Sequence, residues 1–447
     1  MWTLYNILFP FVYLLMTPYY VGRMWRRGGY GKGFMQRFGL LDRETRAELS
    51  ALCAAGANDD RCRPVWIHAV SVGEIQIALR FIEAWRGDEP DTVFVVTTTT
   101  STGHRVMETQ KPAGVILLYF PVDTPLIMAR SLTRMMPRLV VLVECEIWPN
   151  LIRECSRRSI AIGILNGRLS DNSYRGYCRF RRFAANVMGR VDMVCTQDEE
   201  DARRYRDLGA GHVRVVGSAK YDVAQVGADD AAIAREILQK LEIEPDRPLV
   251  VGGSTWAGEE DALLSAFDQL LRIDERALLV LVPRHFERSG AIEEAIRKKS
   301  LRYFRRSQLE TAVQEQPGGD ELQVLLVDTV GELRSFYAAA TVIFVGKSLT
   351  QHGGQNLVEP AAYGKPVVVG PNMENFRTVT RDLLDADAIL QVADEAGLVQ
   401  RLSELLVSGV ARTSYGDRAA RLVEGKRGSL QRSAEILRSV LTSQGES

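Results

Sequence analysis

The stretch VWIHAVSVGE, residues 65–74, places an apolar run of strand length before a small-residue turn that ends in a carboxylate. The run VWIHAV is rich in β-branched and aromatic residues, which favours a buried strand. The turn at Ser71-Val72-Gly73 leads into a helical pattern from Ile75 to Trp85. A buried strand followed by a covering helix is the repeating unit of a parallel α/β sheet.

The same alternation continues along the chain in two series. In the first series the strand-like runs after VWIHAV are VFVVTTTT, VILLYF, RLVVLVE, AIGIL, DMVCTQ and VRVVG. A polar stretch from Tyr221 to Arg247 interrupts the pattern, and the second series comprises PLVVGGS, ALLVLVPRH, LQVLLVD, TVIFVGKS and KPVVVGP. We therefore expect an α/β protein with two Rossmann-like, doubly wound domains. Ligands of such sheets bind at the carboxyl ends of strands, so the cleft between the domains is the expected active site.

The amino-terminal 22 residues precede the first charged residue, Arg23, and are mostly apolar. A span of about 20 apolar residues matches the thickness of a bilayer, and the cations that follow it indicate a cytoplasmic body. No charges precede the apolar core, which argues against a cleaved signal peptide. We expect a spanning or deeply embedded anchor. Pro10 and Pro18 leave a broken or interfacial helix open, and a buried core helix is the alternative.

These patterns divide the chain into four expected regions. They are a membrane anchor at residues 1–22, a first domain at 23–222, a linker region at 223–247, and a second domain with carboxyl-terminal helices at 248–447.

Charge and cysteine content exclude other classes. Lysine plus arginine and aspartate plus glutamate number 56 each, which argues against a nucleic-acid binder driven by bulk charge. The six cysteines show no CxxC or Cys/His metal spacing, so we read them as free thiols in a reducing compartment.

Polar residues follow the expected strands of both domains. In the first domain, Glu74 stands at a glycine-containing turn where it could act as a catalytic carboxylate or simply cap the helix. His68 lies within the strand and reads as a hydrogen-bonded core residue. In the second domain, turns with glycine, arginine or lysine follow successive strands, and these groups bind phosphate. These turns are Gly252–Thr255, Pro283–His285, Gly346–Ser348 and His352–Pro360.

Several long motifs carry a family resemblance. WIHAVSVGE, VECEIWPNLI, NGRLSD, VVGSAKYD, PRHFERS, VDTVGEL and GGQNLVEPAAYGKPVVVGP occur in this order behind the apolar amino terminus. Together they resemble the 3-deoxy-D-manno-octulosonic acid (Kdo) transferases of lipopolysaccharide synthesis. The resemblance implies a GT-B glycosyltransferase that moves Kdo from CMP-Kdo to the lipid A precursor. It also implies inversion at the anomeric carbon, no metal or other cofactor, and work at the cytoplasmic face of a bacterial inner membrane.

The resemblance also implies roles for particular residues. Glu74 would be the general base, with Glu144 and Lys220 assisting at the transition state, and the first domain would bind the acceptor. Trp256 stands where we would expect a histidine, and Lys347 where many relatives carry glycine, so the resemblance leaves the detailed nucleotide contacts open. The residues that would hold CMP in the second domain are Pro283, Arg284, Gly331, Glu332, Leu333, Asn356, Leu357, Val358 and Glu359.

The segment from Gly167 to Phe183, GRLSDNSYRGYCRFRRF, interleaves arginines with aromatic residues. It suits an anionic membrane interface, or equally a solvated basic helix whose aromatic residues face the core.

Three other functions remain to be weighed. A GT-B enzyme that uses a UDP-sugar would share the architecture but should lack SVGE, EIWPN and PRH together. A nicotinamide dehydrogenase would show GxGxxG after its first strand, which is missing here. A non-catalytic, membrane-tethered nucleotide sensor would bind CMP without transferring Kdo.

Overall fold

The computed structural model describes residues 1–27, 33–54, 63–309 and 319–444. The chain divides into two compact units. The first comprises Met1–Val223 together with Arg427–Ser447, and the second comprises Ala224–Lys426.

The first unit alternates strands and helices after two amino-terminal helices, as the apolar periodicity predicted. Its helices are α1 Trp2–Arg27, α2 Arg43–Ala54, α3 Val72–Arg86, α4 Ser101–Gln110, α5 Pro125–Met135, α6 Pro149–Ser156, α7 Asp171–Arg179, α8 Arg181–Met188, α9 Glu199–Asp207 and α10 Lys220–Val223. Its strands are β1 Val65–His68, β2 Phe94–Thr98, β3 Val115–Tyr119, β4 Leu139–Val143, β5 Ala161–Gly167, β6 Met193–Thr196 and β7 Val213–Val215.

These strands form a parallel sheet in the order β3-β2-β1-β4-β5-β6-β7. Helices cover both faces, and strand residues alternate between the two apolar clusters: Ile67 packs with α3, whereas Trp66 packs with α5 and α6. Both faces of the central strands are buried because these strands are apolar on both sides. After β3 the chain returns to the other side of β1, so the strand order reverses between β1 and β4.

The second unit repeats the architecture. Its helices are α11 Ala232–Lys240, α12 Glu259–Leu270, α13 Ser289–Lys298, α14 Leu333–Ala339, α15 Val358–Ala362, α16 Arg377–Asp385, α17 Glu395–Val407 and α18 Gly409–Lys426. Its strands are β8 Leu249–Thr255, β9 Leu278–Pro283, β10 Tyr303–Arg305, β11 Val324–Leu326, β12 Val342–Val345, β13 Val367–Val369 and β14 Leu390–Gln391. They pair in parallel in the order β10-β11-β9-β8-β12-β13-β14, which reverses between β8 and β12. The prediction of two doubly wound parallel sheets is therefore confirmed.

The last helix, α19 Ser429–Gln444, packs against the first sheet. Leu437 fills the space beside Gly163, where a side chain would collide with it. Asp222 fixes the start of α19 by accepting hydrogen bonds from the amides of Gly428 at 2.5 Å and Leu430 at 3.1 Å. By contact, residues 224–247, expected as a linker, lie with the second unit, and α19, expected with the second domain, lies with the first.

The expectation of a spanning anchor at residues 1–22, which fall within α1, is not supported. Among the described residues, no helix is both long and apolar enough to cross a bilayer. Helix α1 is not a buried core helix either, because its outer face exposes Leu4, Ile7, Leu8, Phe11 and Leu15.

The inner face of α1 docks on the first unit. The Trp2 indole donates a hydrogen bond to Asn186 at 3.0 Å, and the Tyr5 hydroxyl donates one to buried Asp123 at 2.8 Å. Phe9 meets Trp148 edge to face, with ring centroids 6.3 Å apart. Polar and aromatic contacts therefore hold α1 against the protein.

Four cysteines with described side chains, Cys145, Cys155, Cys178 and Cys195, are free thiols, as predicted. Cys62 lies outside the described residues.

Candidate functional site

The first sheet brings two polar loops together where its strand order reverses. One loop follows β1 and leads into α3, whose first turn contains Glu74, and the other follows β4 and contains Glu144 and Glu146. The carboxyl ends of the strands on either side of such a reversal form the usual ligand crevice of a doubly wound sheet. The sequence-predicted carboxylates therefore lie at the expected site of chemistry in this unit.

Glu74 caps the helix on which it lies. Its Oε1 accepts a hydrogen bond from the Ser71 hydroxyl at 2.8 Å, and its Oε2 accepts one from the Val70 amide at 2.8 Å. The Ser71 hydroxyl in turn accepts from the Glu74 amide at 3.3 Å. This reciprocal pattern resembles a capping box, so the sequence SVGE has a structural use whatever else it does.

The environment of Glu74 also suits a proton acceptor. Burial raises the pKa of Glu74 to about 7, the Val70 amide opposes the rise, and the negative charges of Glu144 and Glu146 add to it. A carboxylate with a pKa near neutrality accepts a proton far more readily than an ordinary surface glutamate. Capping and proton transfer are compatible, because each carboxylate oxygen retains a further lone pair.

Glu144 and Lys220 are joined through Asn166. The Asn166 amide nitrogen donates to Glu144 Oε1 at 3.3 Å, and its amide oxygen accepts from the Ala219 backbone at 3.0 Å, next to Lys220. Glu144 and Asn166 both have positive φ, 59° and 55°. Such backbone is rare outside glycine and concentrates at functional sites. Asn166 had no predicted role, although it is the polar residue that ends the apolar run AIGIL.

Lys220 has an unusual environment for an ammonium group. Burial lowers the pKa of Lys220 to about 8, Glu144 opposes this shift, and Arg168 adds to it. The charge of Glu144 thus acts on the pKa of both Glu74 and Lys220, so Glu144 links the other two predicted catalytic residues.

His68 is a buried residue, as its position in the strand indicated. Its ring stacks on Phe120 with centroids 3.7 Å apart, and Nδ1 lies 3.1 Å from the Thr97 carbonyl. Nε2 faces Glu146 Oε2 at 3.6 Å, and the Trp148 indole donates to that oxygen at 3.0 Å. His68 therefore lies behind the β4 loop and supports it.

In the second unit, a buried carboxylate shapes the loops after β8 and β12. Glu259 accepts four backbone N–H bonds, from Trp256 at 2.9 Å, Lys347 at 2.7 Å, Ser348 at 2.8 Å and Leu349 at 2.9 Å. One side chain thus holds both loops at the point where this sheet reverses.

The residues predicted to hold CMP occupy the carboxyl ends of this second sheet. Pro283 ends β9, and exposed Arg284 follows it, with its amide donating to the Thr255 carbonyl at 3.1 Å. Gly331 has φ 96°, which suits glycine, and leads through Glu332 into α14 at Leu333. Glu332 already binds Arg306 at 2.9 Å and the Thr329 hydroxyl.

The segment Asn356–Glu359 opens α15. Leu357 and Val358 are fully buried, so they contribute packing and backbone rather than polar side chains. The Asn356 side chain accepts from the Val358 amide at 3.1 Å. Burial raises the pKa of Glu359, and the positive charge of Arg334 and a hydrogen bond with Asn356 oppose the rise.

Most of the first unit matches a known protein family, and most of the whole chain matches individual proteins. Residues 32–223 match the family model described as 3-Deoxy-D-manno-octulosonic-acid transferase (kdotransferase). A 3-deoxy-D-manno-octulosonic acid transferase from Haemophilus influenzae is 32% identical over 385 residues, which cover 84% of this chain and 87% of that protein. The chain belongs to the Kdo transferase family. The resemblance read from the motifs is thereby confirmed.

Two further proteins extend this comparison. A Kdo transferase from Bordetella pertussis is 31% identical over 429 residues, 93% of this chain and 94% of that protein. The crystal structure of a glycosyltransferase from Rickettsia africae matches with a TM-score of 0.57 at 11% identity, over 85% of this chain and 98% of that chain. At this identity the structural likeness shows the fold alone.

In this Kdo transferase family member, the aromatic residues and the arginines of residues 167–183 lie in different environments. Tyr174, Tyr177 and Phe183 pack against the core, whereas Phe180 is exposed. The exposed cations of α7 and α8 are Arg175, Arg179, Arg181 and Arg182. Trp2 of α1 meets Phe183 edge to face at 5.1 Å, so the two surface features are neighbours.

Proposed function

We propose that this chain transfers Kdo from CMP-Kdo to the lipid A precursor, with inversion at the anomeric carbon and without a metal ion. The observation that carries the proposal is the group of Glu74, Glu144 and Lys220 at the strand reversal of the first unit, in a chain of the Kdo transferase family.

Glu74 serves as the general base in this proposal. An acceptor hydroxyl attacks the anomeric carbon, its proton passes to the Glu74 carboxylate, and the bond from that carbon to the CMP phosphate oxygen breaks. CMP departs with the electron pair of the broken bond. A single displacement of this kind inverts the configuration at the reacting carbon.

Glu144 and Lys220 assist at the transition state. The Lys220 ammonium supplies positive charge where the acidic sugar and the phosphate carry negative charge, and Glu144 favours the charged form of that lysine. Asn166 binds Glu144 directly and fixes the backbone next to Lys220 by accepting from the Ala219 amide.

The second unit holds CMP in this scheme. Arg284 is exposed at the end of β9, where its guanidinium can clamp a phosphate. Backbone amides of the glycine turns add further donors. Glu359 is a carboxylate suited to accepting ribose hydroxyls, and its burial strengthens such a hydrogen bond. Cationic and backbone donors can thereby neutralise the leaving phosphate without a divalent ion.

The acceptor is a lipid, and the surface around α1 offers a means of meeting it. The exposed apolar side chains of α1 lie beside the exposed arginines of α7 and α8. An apolar face next to cations suits the interface of an anionic bilayer. We propose that the protein works at the cytoplasmic face of a bacterial inner membrane through this surface.

The direct test is transfer of labelled Kdo. The purified chain is incubated with CMP-Kdo and lipid A precursor in the presence of a chelator, and the lipid product is separated and counted. The proposal expects labelled lipid, with the anomeric configuration of the product opposite to that of the donor. CMP binding without transfer would instead indicate a nucleotide sensor, and transfer from a UDP-sugar alone would overturn the donor assignment.

A further inference from the structure

Trp256 and Lys347 meet at the strand reversal of the second sheet. Trp256 follows β8 and Lys347 follows β12, and the strand order reverses between these two strands. Ligands of doubly wound sheets bind in the crevice outside the strands at such a reversal. These two side chains therefore occupy the position at which a ligand of this unit is expected.

The two side chains form a cation–aromatic group. The Lys347 ammonium lies 4.8 Å from the centre of the Trp256 ring. The His285 ring meets the same indole edge to face, with centroids 4.9 Å apart. His285 is the next residue in the chain after Arg284, the arginine proposed to bind phosphate.

The Lys347 ammonium and the Trp256 indole N–H can each bind a further group. Within the described ranges, no carboxylate lies within ion-pair distance of Lys347. The Trp256 indole nitrogen is shielded from solvent and has no hydrogen-bond partner among the described residues. Buried donors without partners are uncommon in proteins, and a site awaiting a ligand is one explanation for them.

The backbone holds Lys347 rigidly in this place. Its φ is 57°, a conformation that side chains other than glycine and asparagine seldom adopt. Its amide donates to Glu259, which also fixes the Trp256 amide. Its carbonyl accepts from the Gly354 amide at 2.9 Å, and a side chain at Gly353 would come within 3.4 Å of its ammonium nitrogen. The protein thus keeps an unfavourable backbone conformation at this cation.

We propose that Lys347 binds an anionic oxygen of the donor, with the Trp256 indole N–H as a neighbouring hydrogen-bond donor. This inference rests on the proposed function, because the donor named there is a nucleotide-activated acidic sugar. Such a donor carries two groups of the required chemistry, the phosphate and the sugar carboxylate. An ammonium group has three N–H donors and can bind either of them.

Binding measurements on Lys347→Gln test the inference and separate the two anions. Titration calorimetry with CMP-Kdo, CMP and cytidine compares this variant with the wild-type protein. We expect the affinity for CMP-Kdo to fall roughly tenfold, as for loss of a charged hydrogen bond. An equal fall for CMP assigns Lys347 to the phosphate, whereas unchanged CMP affinity assigns it to the sugar carboxylate.

Three control variants show whether a loss of affinity is due to the Lys347 cation. Lys298→Gln removes an exposed lysine on α13 that pairs with Glu294 and should leave all three affinities unchanged. Lys347→Arg should restore much of the affinity, because it retains the cation. Lys347→Gly removes the side chain but suits the positive φ, so it should lose affinity as Lys347→Gln does without losing thermal stability.

Two results would overturn this inference without overturning the proposed function. One is unchanged affinity of Lys347→Gln for CMP-Kdo, and the other is an equal loss for cytidine, which carries neither anionic group. In both cases the wild-type protein would still transfer Kdo. A wild-type protein that binds neither CMP nor CMP-Kdo would overturn the proposed function and this inference together.

Discussion

At the residue scale, the opposite pKa shifts of Glu74 and Lys220 define a pH window for activity. Glu74 must be unprotonated to accept a proton, and its pKa of about 7 means that turnover rises as the pH passes through that value. Lys220 must be protonated to supply charge, and its pKa of about 8 means that turnover falls above that pH. We expect a bell-shaped profile of kcat with its maximum between the two values.

Lys220→Arg separates the two limbs of this profile. The guanidinium stays charged throughout the range, so the descending limb should disappear while the ascending limb remains near pH 7. A descending limb that persists near pH 8 in the variant would remove Lys220 from this role, whatever the absolute rate.

Asn166 offers a second prediction at the same scale. Asn166→Gly keeps a residue that tolerates φ 55° but loses both hydrogen bonds, so kcat should fall about ten- to hundredfold through misplacement of Glu144 and Lys220. Asn166→Asp should lose more, because its carboxylate faces Glu144. Steady-state kinetics with CMP affinity as the control measure this effect. Near-normal turnover of Asn166→Asp would show that Asn166 does not position these groups.

At the element scale, the start of α19 depends on Asp222. Asp222→Ala leaves the amides of Gly428 and Leu430 without their acceptor, and loss of an N-terminal cap costs about 1–2 kcal/mol. Denaturant unfolding followed by α-helical circular dichroism should show this loss. Asp229→Ala, which removes an exposed carboxylate paired with Arg235, should be close to neutral. Equal stability of the two variants would contradict the assigned role of Asp222.

The secondary-structure elements differ in how well the sequence predicts them. Long apolar runs such as residues 65–70 and 278–283 identified the central strands, because a strand buried on both faces is apolar throughout. The edge strands β10 and β14 have three and two residues and carry too little pattern to be recognised. The apolar face of α19 indicates that it packs, but only the folded chain shows that it packs beside Gly163.

Some residues of the candidate site could also be predicted from the sequence, and others could not. Glu74 was visible because a carboxylate after a strand and a glycine turn is a recognisable pattern. Asn166 and Glu259 act through backbone amides distant in sequence, so their partners appear only when the loops are folded.

At the scale of the whole molecule, the exposed face of α1 should govern binding to lipid. Ile7→Asp places a charge on this face and loses apolar burial, so binding to anionic vesicles should weaken roughly tenfold or more. Ile233→Asp alters an exposed isoleucine of the second unit and is the matched control. Vesicle sedimentation measures binding, and transfer to detergent-dispersed acceptor should be normal in both. Equal vesicle binding by the two variants would exclude α1 from the lipid contact.

The central claim for the molecule is that Glu74 performs chemistry in addition to capping α3. Glu74→Gln separates the two uses, because the glutamine oxygen can still accept from the Val70 amide and its NH2 can donate to the Ser71 hydroxyl, but glutamine cannot act as the base. The matched control is Asp394→Ala, which removes the cap of α17 through loss of its bond to the Gly397 amide and should lower stability by about 1 kcal/mol without affecting transfer.

The decisive measurement is the rate of Kdo transfer by Glu74→Gln under saturating CMP-Kdo, on protein shown to melt and to bind CMP like the wild type. The account predicts a turnover lower by about a hundredfold or more, with donor affinity nearly unchanged. Near-wild-type transfer by this variant would contradict it and leave Glu74 as a helix cap alone.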